Sequence, residues 1–355
     1  MRDLDPNGSP ASFSCPSPVP NPEVIVLGHG SGGRLTAELV SKVFLPALSN
    51  PLLDRLNDST ELNVDASRIV FTTDSFVVNP LRFPGGDIGA LAINGTVNDL
   101  AVAGGQPIGL SAAFILEEGF PIAELKAFAQ SMRTAADRAG VAIIAADTKV
   151  VERGKADGLF ITTSGIGVVA PGVELGAERI QVGDAVLVSG PVGDHGIAVM
   201  SAREGLEFQT AIVSDSAPLN GLVASMLETG GGLRCMRDPT RGGVATVINE
   251  LAKSSGVEIL IEETVVPARD GVRAACEILG LDPLYVACEG RLVAIVDSAD
   301  ADKLLAAMRR HPLGSDACCI GTVRRSGTPR VLLRTAFGTI RMLDLLSGSQ
   351  LPRIC

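Results

Sequence analysis

Tryptophan is absent from this 355-residue chain, and tyrosine occurs once, as Tyr285. With only 11 Phe besides, the cores have to be built from Val, Ile, Leu and Ala, and the 46% hydrophobic content supplies them. No run of Lys and Arg exceeds two residues, and the net charge is −10. A nucleic-acid partner requires clustered positive charge, so none is expected. An anionic small molecule such as a nucleotide then needs local help from metal ions or backbone amides. No segment approaches the ~20 apolar residues of a membrane span, so no membrane association is expected. No C-x-x-C pair and no zinc-like Cys/His spacing is present. Seven cysteines remain: Cys15, Cys235, Cys276, Cys288, Cys318, Cys319 and Cys355. That odd number of thiols in a long chain fits a reducing, cytoplasmic compartment. Residues 1–22 are rich in Pro, Ser and Asn, lack the apolar run of a signal peptide, and read as a disordered extension.

Forty Gly and 21 Pro imply many tight turns without a collagen-like period. Strands are expected at 23–27, at 68–74 ending in Asp74, at 111–118, at 141–147 ending in Asp147, and at 159–170. Helices are expected at 35–44, 87–104 and 122–140, the last closed by Gly140. Residues 50–63 read as a loop. A Pro-Gly turn at 171–172 precedes a second unit, with strands at 184–190, 257–263 and 291–298. Its helices are expected at 195–206, 221–230, 242–256, 271–280 and 301–311, with short strands to close. Strands and helices mix without strict βαβ alternation, which points to two α+β halves with partly antiparallel sheets. The expected division is 23–172 and 173–346, followed by a flexible tail at 347–355.

Gly28, Gly30 and Gly33 satisfy the G-x-G-x-x-G pattern between a strand and a helix. A dinucleotide fold should return to a second strand within ~30 residues and end in an acid. Here the helix runs into Asn50–Pro51 and a polar loop, which favours a glycine loop covering phosphates or a structural turn. Four aspartates follow apolar stretches beside small or hydroxyl residues: Asp74, Asp99, Asp147 and Asp238. Carboxylates from several segments can share hard cations such as Mg²⁺, which bridge to phosphate oxygens. Each alone is equally a turn residue or helix cap. After Asp238 come Thr240, Gly242 and Gly243, opening a helix whose free N–H groups suit an anion. Arg237 and Arg241 could add phosphate contacts. His195, in GDHG, reads as a capping or packing residue rather than a catalyst. Lys149, two residues beyond Asp147, is either a cation for phosphate or a solvated loop residue. Glu289 is either a half-buried base or a surface cap. The chain ends SGSQLPRIC, and nine extended residues span ~30 Å. A terminal thiol, Cys355, on a mobile arm suits a covalent carrier or is there by chance.

Taken together, HGSGG (29–33), the stretch 72–102, ILEEG (115–119), DTKVV (147–151), GDHG (193–196), RDPTRGGV (237–244), EGRLV (289–293), HPLG (311–314) and the final LPRIC resemble the HypE family of hydrogenase-maturation carbamoyl dehydratases. The early Asp motifs and the DPTRGG stretch are shared with the wider superfamily of aminoimidazole ribonucleotide synthetase-like (PurM-like) ATP enzymes. The terminal P-R-I-C is more specific to HypE. The resemblance implies an α+β, two-domain PurM-like fold, with N-terminal sheets pairing in a homodimer and a C-terminal α/β sandwich. It implies ATP bound through Mg²⁺ by Asp74, Asp99, Asp147 and Asp238, beside Thr240, Gly242 and Gly243. Cys355 would receive a carbamoyl group from the carbamoyltransferase HypF and be dehydrated to a thiocyanate. Glu289 would act as base and Lys149 would sit near the reacting amide or the phosphate. The cyanide would pass to iron on the HypC–HypD complex. A sister phosphotransferase of the same fold and a non-catalytic carrier scaffold are the alternatives.

Overall fold

A computed structural model describes residues 33–39, 41, 55–56, 60–64, 67–206, 212–346 and 351–355. The expected strand at 23–27, the glycine loop before Gly33 and residues 347–350 lie outside the described residues. Two sheets organise the rest. The first is built from β1 (Thr60–Val64), β2 (Ser67–Phe76), β5 (Gly105–Glu117), β6 (Ile143–Val151) and β7 (Leu159–Val169) in the order β1-β2-β7-β5-β6. Its neighbours are antiparallel except β5 and β6, which run parallel. A short hairpin, β3 (Arg82–Phe83) and β4 (Gly86–Asp87), links β2 to helix α2 (Ile88–Val102). Residues 60–63, expected as a loop, are strand: they pair with Phe71 to Arg68. Their polar sequence carries no apolar alternation, so pairing rather than propensity decides their state.

Among the described residues only one face of this sheet is covered. Asp87 caps α2, its carboxylate accepting from the Ala90 amide. Helix α3 (Ile122–Ala139) packs beside α2 and ends on Gly140 at φ 66°, a left-handed position that glycine occupies freely. Along β7 buried and half-buried residues alternate, the period of a strand with one face inward. Val70, Leu91, Ile93, Leu110, Phe128 and Ile161 form this core. Helix α1 (Arg34–Leu39) is tied back by the Arg34 amide bonding to the Leu346 carbonyl.

The second sheet joins β8 (Ala185–Val188), β9 (Leu233–Arg237), β10 (Glu258–Glu262), β11 (Val293–Val296), β12 (Cys318–Arg324), β13 (Arg330–Arg334) and β14 (Ile340–Met342). Its order is β14-β13-β10-β12-β8-β11-β9, parallel only at β10–β13. Strands β8 and β11 are buried on both faces, and their AVLV and VAIV sequences have no polar alternation. One face is covered by α6 (Gly243–Ser255), the other by α5 (Asn220–Leu227) and α8 (Ala301–Arg310). Helices α4 (Asp194–Glu204) and α7 (Asp270–Leu279) pack together at one end. Strand β9 was not anticipated: its LRCMR sequence follows a glycine cluster and carries two arginines. Among the described residues no helix is long and apolar enough to cross a membrane.

Candidate active site

Between the two sheets lies a cavity of about 230 Å³. Its floor comes from β2. Thr72, Asp74 and Phe76 alternate inward toward α2, and the strand continues two residues past Asp74, which pairs with Thr163. Asp99 belongs to α2 rather than to a strand end, and its carboxylate accepts from the Thr72 hydroxyl at 2.7 Å. Asp74 and Asp99 are themselves hydrogen-bonded carboxyls, and burial pushes Asp74 above the usual carboxylate range. Two carboxyls in contact must share a proton or a cation.

The opposite wall comes from the second sheet. Asp238, buried, follows β9 directly. The turn continues through Thr240, whose amide bonds back to the Asp238 carbonyl, to Gly242 at φ 77° and Gly243 at φ 63°. A Cβ on Gly243 would lie 2.5 Å from the Leu284 carbonyl oxygen, so only glycine fits where α6 starts. Thr240 and Asp238 line the cavity; Gly242 and Gly243 do not. Arg241 lies at the mouth. Arg237, weighed as a phosphate contact, turns away and bonds Glu250 at 2.9 Å.

Glu289 is 2% exposed, and its Oε1 has no hydrogen-bond partner. Burial first, then the nearby carboxylates of Asp238 and Asp215, raise its pKa well above the ordinary value. Its backbone is fixed on both sides: the amide donates to Asp215 Oδ1 at 3.0 Å, and Asn98 donates to the carbonyl at 3.0 Å. Asn98 also accepts from the Leu219 amide, so one α2 side chain ties the extended segment 212–219 to the Glu289 turn.

The thiol of Cys355 completes the cavity. The tail is docked: Ile354 and Cys355 are buried among the first core, and Arg241 Nη1 lies 3.5 Å from Sγ. Burial raises this thiol to about 11, against the opposing pull of Arg241, so the docked sulfur is protonated at neutral pH. Asp74, Asp99, Asp238, Thr240, Glu289 and Cys355 therefore meet in one space, from five separate stretches of sequence. Asp147 and Lys149 do not line it. Asp147 is in the middle of β6, not at its end, and both residues are exposed and paired to each other at 2.5 Å. That hydrogen bond holds the Asp147 carboxyl below its usual range. His195 is buried against Phe83 with both nitrogens bonded, a packing residue that also holds the tail. Asp215, Asn98 and Arg203 were not foreseen, because their partners are 74 to 191 residues away in sequence.

Among the described residues no three Asp, Glu, His or Cys side chains form a metal cage. Mg²⁺ does not require one. It is usually held by one or two carboxylates, with water and substrate phosphates completing its octahedron. The touching pair Asp74 and Asp99, with Asp238 across the cavity, fits that description.

Residues 57–169 match the N-terminal domain of the AIR synthase related proteins, and residues 181–334 match the C-terminal domain. The carbamoyl dehydratase HypE of Bradyrhizobium diazoefficiens is 57% identical over 330 residues, covering 93% of this chain and 95% of the relative. The structure of a HypE–HypF complex superposes with a TM-score of 0.83 at 48% identity, covering 87% of this chain and 99% of that one. A HypE structure in complex with ATP gives a TM-score of 0.79 at 44% identity, covering 94% and 100%. On the identity and the extent of these matches, the chain belongs to the HypE family of carbamoyl dehydratases.

Proposed function

We propose that this chain uses ATP to dehydrate an S-carboxamide carried on its own Cys355, leaving a thiocyanate. The observation that carries this reading is the entry of the Cys355 thiol into the cavity that holds the carboxylate pair and Glu289, whose Oε1 has no hydrogen-bond partner. A carboxamide on that sulfur lies among groups suited to each step. Its oxygen attacks the γ-phosphorus of ATP and breaks the bond to ADP. An amide oxygen leaves poorly; phosphorylated, it leaves as phosphate. Glu289 takes one nitrogen proton as the oxygen is phosphorylated; the second leaves with the phosphate as the carbon–oxygen bond breaks, and a carbon–nitrogen triple bond remains on sulfur.

Asp74, Asp99 and Asp238 would hold Mg²⁺, which supplies charge neutralisation at the transferring phosphoryl group. Arg241 orients the sulfur. The Gly242 amide at the opening of α6 suits a phosphate, while that of Gly243 closes the turn on the Thr240 carbonyl. Because the docked thiol is buried, loading by HypF takes place with the tail outside, and the tail returns for dehydration. The thiocyanate then delivers cyanide to iron held by HypC–HypD, for [NiFe]-hydrogenase. The cysteines among the described residues are free, in keeping with cytoplasmic chemistry.

A homodimer is part of this reading. The open face of the first sheet exposes Phe71, Ile108 and Ile115, and its edge strand exposes Ile144 and Val150. Asp147 and Lys149 stand in register with Ala113 and Ile115, so a second copy on this face would take them out of solvent. Their proposed roles at phosphate and amide depend on that pairing.

The test is intact mass spectrometry of the chain incubated with HypF and carbamoyl phosphate, then with Mg²⁺-ATP. The expected result is a gain of one carbamoyl group on Cys355, then an ATP-dependent loss of one water. Loading without water loss points to a carrier. No loading with active HypF overturns the reading.

A further inference from the structure

Helix α4 carries two side chains that the dehydration chemistry does not use, and both grip the end of the chain. His195, in its first turn, is fully buried, and its Nε2 lies 2.8 Å from the carbonyl oxygen of Ile354. A carbonyl only accepts, so Nε2 carries the proton. Nδ1 is then the acceptor for the Ser214 hydroxyl at 2.8 Å. Burial holds this ring down to about 4, so it is neutral and keeps that tautomer. Arg203 lies roughly two turns further along the same helix. Its Nη1 donates to the Pro352 carbonyl at 2.5 Å, its Nη2 to the Arg353 carbonyl at 2.6 Å, and its Nε to the Asn79 carbonyl at 2.7 Å.

Three successive carbonyls before Cys355 are thus held by one helix. From the other side, the Asn79 and Val77 amides donate to the carbonyls of Arg353 and Cys355. The hydrogen bonds from α4 to the tail are all to backbone. They fix where the tail lies and in which register, not which side chains it carries.

We infer that His195 and Arg203 are positioning residues for the reaction, setting the register of the tail so that the Cys355 sulfur enters the cavity beside Arg241. The inference rests on the proposed dehydration. A slip of one residue moves the chain by ~3.3–3.6 Å, more than the whole reach of a hydrogen bond, and would put Ile354 where the sulfur belongs. Reacting atoms have to lie within ~3–3.5 Å, and a misplacement of ~1 Å can cost about 10²-fold in rate. Neither side chain lines the cavity, so ATP binding is left alone.

The experiment uses the full chain with Arg203→Lys, His195→Phe and His195→Gln. Lysine keeps the charge of Arg203 but cannot span two carbonyls. Phenylalanine keeps a ring against Phe83 without a donor, and glutamine restores an N–H donor. Two rates are read by mass spectrometry: ATP-dependent water loss from the HypF-loaded chain, and iodoacetamide alkylation of unloaded Cys355 relative to exposed Cys319. In Arg203→Lys and His195→Phe, water loss should fall about 10²-fold, while Cys355 alkylation rises at least tenfold and loading is no slower than in the parent. His195→Gln should recover much of the loss. Parental rates of both water loss and alkylation in Arg203→Lys, which retains the buried histidine, would overturn the inference. Should the parental chain itself never lose water, the dehydration reading fails. The alkylation ratio still decides whether α4 holds the tail.

Discussion

Replacing Glu289 by glutamine separates the role of its charge from its place in the fold. The main chain at 289 is anchored through its own amide and carbonyl, to Asp215 and Asn98, so the substitution leaves the turn in position. The carboxylate has an unpartnered Oε1, and burial raises its pKa. A carboxyl whose folded pKa is raised binds its proton more tightly in the folded chain. Its contribution to stability is full below the unfolded pKa of ~4.3 and is lost as pH rises through the folded value. At neutral pH the parental glutamate is therefore neutral or unfavourable for folding, and glutamine should melt no lower. The effect on catalysis runs the other way. A positioned base is worth about 10²–10⁴-fold, which is roughly 3–5 kcal/mol of barrier. Single-turnover water loss from the carbamoylated chain, followed by mass spectrometry across pH, reads both effects. The parental rate should rise with pH as Glu289 loses its proton, and in Glu289→Gln both the rate and that rise should be gone. A variant within tenfold of the parent, or one that keeps the pH dependence, would refute the assignment of the base.

Other outcomes follow from the same geometry. Asp99→Asn keeps an acceptor for the Thr72 hydroxyl but removes a charge from the carboxylate pair, so Mg²⁺-dependent ATP binding by calorimetry should be lost while cooperative unfolding is retained. His195 is held at about 4 by burial, so the unfolded chain takes up a proton that the folded chain refuses. Its contribution is present above pH ~6.5 and is lost as pH falls toward 4, up to about 3 kcal/mol. Denaturant melts of His195→Gln should show a shallower acid loss than the parent. Gly243→Ala places a Cβ 2.5 Å from one backbone carbonyl oxygen and 2.7 Å from another, in left-handed backbone. Thermal melts should show it destabilised by about 3 kcal/mol, with ATP affinity reduced because the α6 amides shift.

Residues that announce themselves by local chemistry were readable in the sequence. Asp74, Asp99 and Asp238 each interrupt apolar surroundings. The glycine pair at 242–243 marks a helix start, and a cysteine after Pro-Arg-Ile is conspicuous. Asp147 and Lys149 showed the same local pattern, yet they lie on the edge strand β6 and outside this chain's cavity. Spacing reports the face of a strand, not where that strand stands in the sheet. The tail read as a mobile arm because Ser347 to Gln350 carry no structural preference, while the contacts that dock residues 351–355 come from the segment just after β2, from α4 and from the turn before α6. The Arg203 pairing with Pro352 spans 149 residues, and no local pattern encodes it. Strand β1 was hidden for a related reason: its state comes from pairing with β2.

In the proposed reaction the docked Cys355 makes enzyme and substrate one covalent object. A reaction within one molecule has no Michaelis constant for its carrier and cannot be saturated or competed away by added substrate. Dilution slows the encounters that load and unload the sulfur; the step in the cavity stays first-order wherever the chains remain paired. The thiol must also leave its seat before the next cycle, so each chain processes one group per excursion of its tail. Flux through such a protein is set by the number of chains and the frequency of that excursion, and extra copies raise output in direct proportion.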